Sequence, residues 1–169
     1  MLERVIEERA GGDLTRAEEI RSTVQAMIGD SLSFMASWTH TESEQENAAG
    51  VTSSIQRIPV DYAKASAGYD APSGRWGANL SVLWTGEQKA NVNSYGSVNY
   101  GDYTVVDVAA HAFLDADQHH KITVRLENAL DEEYLTRPNS AVPDAGGARF
   151  FFGNRGVPQT LRVSYSYDF

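Results

Sequence analysis

The chain contains no cysteine. Disulfides, thiolate metal sites and a cysteine nucleophile are therefore excluded. No apolar run approaches the roughly 20 residues that a membrane helix needs. The opening residues, MLERVIEERAGGD, lack the apolar core of a signal peptide. Basic residues are scarce: 14 Lys and Arg stand against 23 Asp and Glu, a net charge of −9. That balance argues against nucleic acid as a partner, because phosphate binding needs clustered cations. No Gly-x-Ser-x-Gly elbow occurs, and the glycines of Asp144–Gly147 lack the strand-to-helix setting of a phosphate loop. Mean hydropathy is −0.40. A transmembrane β-barrel is compatible with that value, since only alternate residues of its strands face lipid.

What the chain does have is period-two alternation. In the closing LRVSYSYDF, Leu161, Val163, Tyr165, Tyr167 and Phe169 share one face, and Arg162, Ser164, Ser166 and Asp168 share the other. Trp76, Ala78, Leu80, Val82 and Trp84 alternate with smaller or polar residues over Trp76–Glu87. The two tryptophans stand eight residues apart on one face. At ~3.3 Å per residue and a tilt near 40°, that is roughly 20 Å along a barrel axis, close to the spacing of two aromatic girdles. A pair of tryptophans in a sandwich core is the plainer alternative. Further strands are expected at Leu32–His40, Ile58–Asp70 (with Pro59 at its start), Tyr103–Leu114, Lys121–Leu130 and Gln159–Phe169. Leu14–Ile28 reads as strand or helix, because its apolar residues fit both periods and its helix propensity is good. A further strand at Glu3–Glu8 would precede it, with Gly11 and Gly12 at the bend.

The connections alternate in length. Gly29–Ser31, Ala71–Arg75 and Asp115–His119 are tight polar turns. Thr41–Arg57, Gln88–Asp102 and Asp131–Pro158 read as long loops. Short periplasmic turns and long extracellular loops are the pattern of an outer-membrane barrel. The fold class expected is thus all-β: an antiparallel transmembrane β-barrel segment of about six to eight strands, with Trp38, Trp84, Val163 and Phe169 toward hydrocarbon.

Three stretches carry a family resemblance. GDSLSFMASWTHTESE has a short turn, a serine-rich strand and an acidic loop. VRLENALDEEYL contains Asn128, Asp131 and Tyr134 in an Asn-Leu-Phe-Asp-x-x-Tyr-like pattern, with Ala129 and Leu130 as substitutes. GVPQTLRVSYSYDF ends the chain on an aromatic, with Gln159 where an arginine is usual. Together they resemble the C-terminal β-barrel portion of a TonB-dependent outer-membrane receptor, over about residues 28–169. The resemblance implies that residues 1–169 are part of a larger barrel of about 22 strands, with 1–27 the least defined stretch. Plug domain, energy-coupling box and signal peptide are not among these residues. RAEEIRS also departs from the family's usual run.

The resemblance further implies a bacterial outer-membrane receptor or transporter, not an enzyme, taking up a ferric siderophore or similar nutrient. Its partners would be outer-membrane lipid, the TonB system in the full-length family, and the barrel assembly machinery. That machinery would read the final strand through Tyr165, Tyr167 and Phe169. The alternatives are a self-contained eight-stranded structural or adhesion barrel and a soluble lipocalin-like binding barrel.

No catalytic, cofactor or metal constellation is visible. His119 and His120 sit with Asp115 and Asp117 in a turn, which reads as hydrated periplasmic surface. His40 with Glu42 and Glu44 enters a loop. Asp107 and His111 share a polar strand face, where ion pairs with Arg125 or Lys121 are expected. Aromatic and cationic loop residues are the candidates for ligand contact: Tyr95, Tyr100, Arg149, Phe151 and Arg155, among neighbours such as Arg137, Phe150 and Phe152. Stacking and charge would suit a flat anionic ligand. The alternative is that Phe150–Phe152 simply continue a strand above the membrane.

Overall fold

The computed structural model describes the backbone of residues 2–10, 13–92, 96–141 and 150–169, and the side chains of 19–53, 55–92, 96–139 and 152–169. There is no helix among the described residues. Eleven strands occur in chain order: β1 (Leu2–Ala10), β2 (Asp13–Ile28), β3 (Leu32–Glu46), β4 (Thr52–Ser54), β5 (Asp61–Asp70), β6 (Trp76–Val92), β7 (Gly96–Phe113), β8 (His120–Glu127), β9 (Leu135–Ala141), β10 (Phe150–Arg155) and β11 (Thr160–Tyr167). The ambiguous Leu14–Ile28 stretch is strand, paired with β3 along its length from Leu14↔Glu46 to Ile28↔Leu32. Helix propensity yields there because β3 offers the backbone hydrogen-bond partners along the whole stretch, and β1 offers more as far as Arg21.

The main sheet runs β1-β2-β3-β5-β6-β7-β8-β11, with β4 added beside β3, and β9 and β10 form a separate two-stranded ribbon. All pairings are antiparallel. Among the described residues β1 pairs only with β2 and β11 only with β8, so the sheet stays open. The closed eight-stranded barrel is therefore not what forms.

Register lines the apolar residues into rows. One row crosses seven strands: Ile28, Leu32, Tyr69, Ala78, Ala110, Val124 and Val163. The next is Ala26, Phe34, Ala67, Leu80, Val108, Leu126 and Leu161. Trp38 and Trp84 flank Ala63 in the row at one border, and Trp76 and Tyr165 stand in the row at the other. The interleaved rows on the opposite face are mostly polar or small, as in Met27, Ser33, Gly68, Asn79, Ala109, Arg125 and Arg162. Because successive side chains alternate across the pleat, a one-residue slip of any strand would invert its pattern.

The apolar face has no protein cover. Val163 and Leu161 are each 66% exposed, Trp38 is 40% exposed and Phe169 is fully exposed. Among the described residues the buried hydrophobics are only Ala71, Ala90 and Val92. A lipocalin-like barrel would enclose its apolar face, and this sheet does not.

Several expected boundaries move. The loop expected at Gln88–Asp102 is mostly ladder: β6 and β7 continue paired from Glu87↔Gly101 to Val92↔Gly96. Likewise β3 runs on to Glu46 and recruits β4, and the stretch 131–158 contains the β9–β10 ribbon. Beyond the apolar rows the backbone still needs hydrogen-bond partners, and pairing supplies them. At the other end the turns are tight. Gly29 adopts φ +60° between β2 and β3, a left-handed turn that suits glycine. β5 begins at Asp61, later than expected, since Pro59 has no N–H to offer. β8 stops at Glu127, not Leu130, because Asn128 turns to φ +49°.

Candidate functional site

At the loop end three segments meet. The stretch 55–60 lies between β3 and β6: the N–H of Thr41 donates to Val60 O (2.8 Å), that of Arg57 to Lys89 O (2.8 Å), and that of Asn91 to the Gln56 side chain (2.9 Å). The β9–β10 ribbon packs against the extended β6–β7 hairpin. Ala90, Val92 and Pro138 are buried there, at 0%, 3% and under 2% exposure. This is where the molecule has an interior.

The base of the β9–β10 ribbon is tied by Asn128, which is 1% exposed. Its N–H donates to Asp107 Oδ1 (2.8 Å), and its Oδ1 accepts from Glu132 N–H (2.9 Å). Its Nδ2 donates to Glu132 O (2.9 Å) and Val157 O (3.0 Å). Asp131 and Gln159 add to the knot: Gln159 N–H donates to Asp131 Oδ1 (3.3 Å), and Gln159 Nε2 to Ala129 O (2.9 Å). Asp107 is thus engaged by a backbone N–H. The ion pairs expected for Asp107 and His111 with Arg125 or Lys121 are not among the described contacts. His111 stands opposite Thr123 in the ladder and meets the edge of the Phe113 ring (6.1 Å), Lys121 lies over that ring (5.5 Å), and Arg125 turns to Glu127 (3.9 Å), which also binds Arg162 (2.9 Å). Glu127 thus draws both arginines, Arg125 along its own strand and Arg162 diagonally from β11, and leaves neither for Asp107.

Tyr103 sits on the polar face, opposite Thr85. Its ring stacks on Tyr134 at 4.1 Å between centroids and 25° between planes. Tyr134 in turn lies over Gly156, where a Cβ would collide with the ring. Half-buried Tyr100 completes the group. Burial holds its phenol above the usual range, and the positive charges of Arg57 and Arg137 pull the other way. Three tyrosines and two arginines therefore gather at the loop end. Of these, only Tyr100 belongs to the expected ligand-contact set. Alternation puts Tyr103 on the same face as Asp107 and His111, but nothing in its neighbours signals that Tyr134, thirty-one positions on, covers it.

Of the other expected contact residues, Arg155 is exposed and pairs with Glu133 at 3.3 Å. Phe150–Phe152 do lie in a strand, β10. The Phe151 side chain, Tyr95 and Arg149 lie outside the described residues. A recess of about 290 Å³ is lined by His40, Glu42, Glu44, Ile58, Glu87 and Lys89. His40 Nδ1 meets Asp61 Oδ1 at 2.9 Å, one row beyond the upper tryptophans, and that hydrogen bond raises its pKa from 6.5. Among the described residues no three His, Asp or Glu side chains are placed to hold a metal.

The turn end is built differently. The Asp115 carboxylate accepts the N–H groups of His120 (2.9 Å) and His119 (3.1 Å), which keep its pKa below the usual value. His120 Nδ1 meets Tyr165 OH at 2.6 Å, and its ring lies 4.7 Å from Tyr167. Tyr167 packs edge-on to Phe169 at 5.0 Å. The three C-terminal aromatics are thus one exposed cluster, anchored on the β7–β8 turn.

No protein-family model matches the sequence, and no curated protein matches it. Solved structures do match in fold. The ferripyoverdine receptor of the outer membrane of Pseudomonas aeruginosa, bound to ferripyoverdine, aligns with TM-score 0.69 and 16% identity over 93% of this chain and 20% of that one. P. aeruginosa FpvA bound to heterologous pyoverdines gives TM-score 0.69 and 15% identity over 99% and 23%. FpvAI in complex with pyocin S2 gives 0.70 and 15% over 99% and 23%. The chain thus spans about a fifth of the length of the receptors it matches. Its fold matches a stretch of the barrel wall of these receptors, all-β and antiparallel, with the sheet open at both edges among the described residues.

Proposed function

We propose that this chain forms part of the wall and loop rim of a bacterial outer-membrane receptor that captures a ferric siderophore for TonB-dependent uptake, a binding role without catalysis. One observation carries the reading: a continuous apolar face, bordered by tryptophans and a tyrosine, that no part of the described protein covers. Such a face is stable only against hydrocarbon, because each Val, Leu or Phe withdrawn from water gains about 1.5–3 kcal/mol. The backbone of a paired sheet leaves no unsatisfied groups in lipid except at its edges. Further barrel strands would meet β1 and β11, and the barrel assembly machinery would engage β11 with Tyr165, Tyr167 and Phe169.

The loop end supplies the capture surface. Tyr100, Tyr103 and Tyr134 offer π faces, and Arg57 and Arg137 offer positive charge, in a chain whose net charge is otherwise strongly negative. A flat anionic chelate suits both. Two titrations test this. Lipids brominated near the bilayer centre should quench Trp38, Trp76 and Trp84 less than lipids brominated near the headgroup, since tryptophans at both borders sit at the interfaces. Quenching indifferent to bromine depth would sink the membrane placement. Ferric pyoverdine should quench the loop-end tyrosines and protect 98–103 and 134–138 from hydrogen exchange. No protection there would remove the capture role.

A further inference from the structure

The residues Asn128, Asp131 and Tyr134 carry much of the sequence resemblance, yet the likeness gives Asn128 no task. Its geometry does. The chain leaves β8 at Asn128 and returns to β11 at Thr160, and β9 and β10 between them form a ribbon outside the main sheet. One buried side-chain amide spans both legs of that projection. It holds the outgoing leg twice, through Glu132 N–H and Glu132 O, and the returning leg once, through Val157 O. Its own N–H is anchored to Asp107 on β7. Every hydrogen-bonding atom of the amide is used or shielded, and none can be replaced by water without opening the base.

The consequences run outward along the ribbon. Fixing 132 beside 157 sets the N–H of Gly156 on Tyr134 O (2.9 Å). That places the Tyr134 ring over Gly156 and against Tyr103. Three residues further, Arg137 stands opposite Asn154 and within electrostatic reach of Tyr100, and Pro138 is buried where the ribbon meets the β6–β7 hairpin. We propose that Asn128 is the positioning residue that latches the β9–β10 ribbon onto the β6–β7 hairpin and so assembles the tyrosine–arginine cluster. The latch itself needs no ligand; its effect on capture rests on the receptor reading above.

Two substitutions separate the side chain from the backbone. Asn128→Gly keeps the left-handed turn and the bond to Asp107, and removes all three side-chain bonds. Asn128→Asp keeps shape and the acceptor for Glu132 N–H, but sets a carboxylate oxygen against two carbonyls. Because the chain has no cysteine, spin labels can be placed at will. Labels at Asn91→Cys and Asn154→Cys report ribbon against hairpin; labels at Asp30→Cys and Asp117→Cys report the turn end. In the membrane-embedded protein, both Asn128 variants should at least double the width of the loop-end distance distribution and leave the turn-end distribution unchanged. They should also weaken ferric pyoverdine binding about tenfold. An unchanged loop-end distribution in both variants overturns the proposal. So does equal broadening at both ends, which would make Asn128 a support of the whole sheet and not of the ribbon. If ferric pyoverdine binds neither parent nor variant while the loop-end distance still broadens, the capture reading fails and the latch stands.

Discussion

The two ends of this molecule solve the same problem in opposite ways. Between the tryptophan borders, the sheet presents seven-residue apolar rows on one face that no described part of the protein covers. Beyond Trp38 and Trp84, strands continue into water, and there the protein covers itself: Ala90, Val92, Pro138 and Asn128 are buried, and polar groups are tied to one another. The contrast teaches where each kind of residue can be spared. A small residue in the apolar rows, such as Ala63, Ala65 or Ala67, costs little, since no described part of the protein packs against that face. A small residue at the loop end is a packing requirement, as Gly156 under Tyr134 shows.

The sharpest way to break this contrast is a charge on each face of one strand. Leu80→Arg, in the central apolar row, should destabilise the inserted protein by about 2–4 kcal/mol, and Asn79→Arg, its neighbour on the polar face, by little. Denaturant unfolding in vesicles reads both. Equal effects would mean that the two faces meet the same medium. The second test is Ala90→Phe. Overpacking this fully buried site should cost about 1–3 kcal/mol, with faster hydrogen exchange confined to 88–101 and 134–139, and membrane insertion intact. A smaller effect is expected for the stack: a double-mutant cycle of Tyr103→Leu and Tyr134→Leu should give a coupling of about 0.5–1.5 kcal/mol.

The smallest effect is a pH dependence at the border between the two regions. The hydrogen bond to Asp61 raises the pKa of His40 above 6.5, so the folded state holds the proton more tightly than the unfolded one. The associated stability is fully present below pH 6.5 and is lost as pH rises through the elevated folded value. Thermal midpoints of the parent should therefore fall across that window, and those of Asp61→Asn should fall less. Identical profiles would detach His40 from stability.

Much of the membrane half is legible in the sequence, because a strand's faces are fixed by parity alone. Trp76 and Trp84, Leu161 and Val163, and the short turns all fall where period two puts them. The stretch 14–28 was ambiguous because its local propensity favours helix, and only a partner strand decides otherwise. The loop half is far less readable. Tyr100 stands among aromatic and cationic loop residues that can be singled out in advance. Tyr103 and Tyr134 cannot be paired from sequence, because the contact closes across a ribbon whose seating depends on Asn128. Arg155, singled out equally, turns to Glu133 instead. Asp107 looks like half of an ion pair and is in fact the anchor of a backbone N–H.

Composition and alternation by themselves determine that this chain is a sheet with one apolar and one polar face, for each strand carries that information in its own consecutive residues. Tertiary structure alone decides the open edges, the conversion of long loops into ribbons, and the convergence of Asn128, Tyr103 and Tyr134. Those features depend on hydrogen bonds and ring contacts between segments far apart in the chain, and a one-dimensional pattern holds no record of which distant groups will satisfy one another.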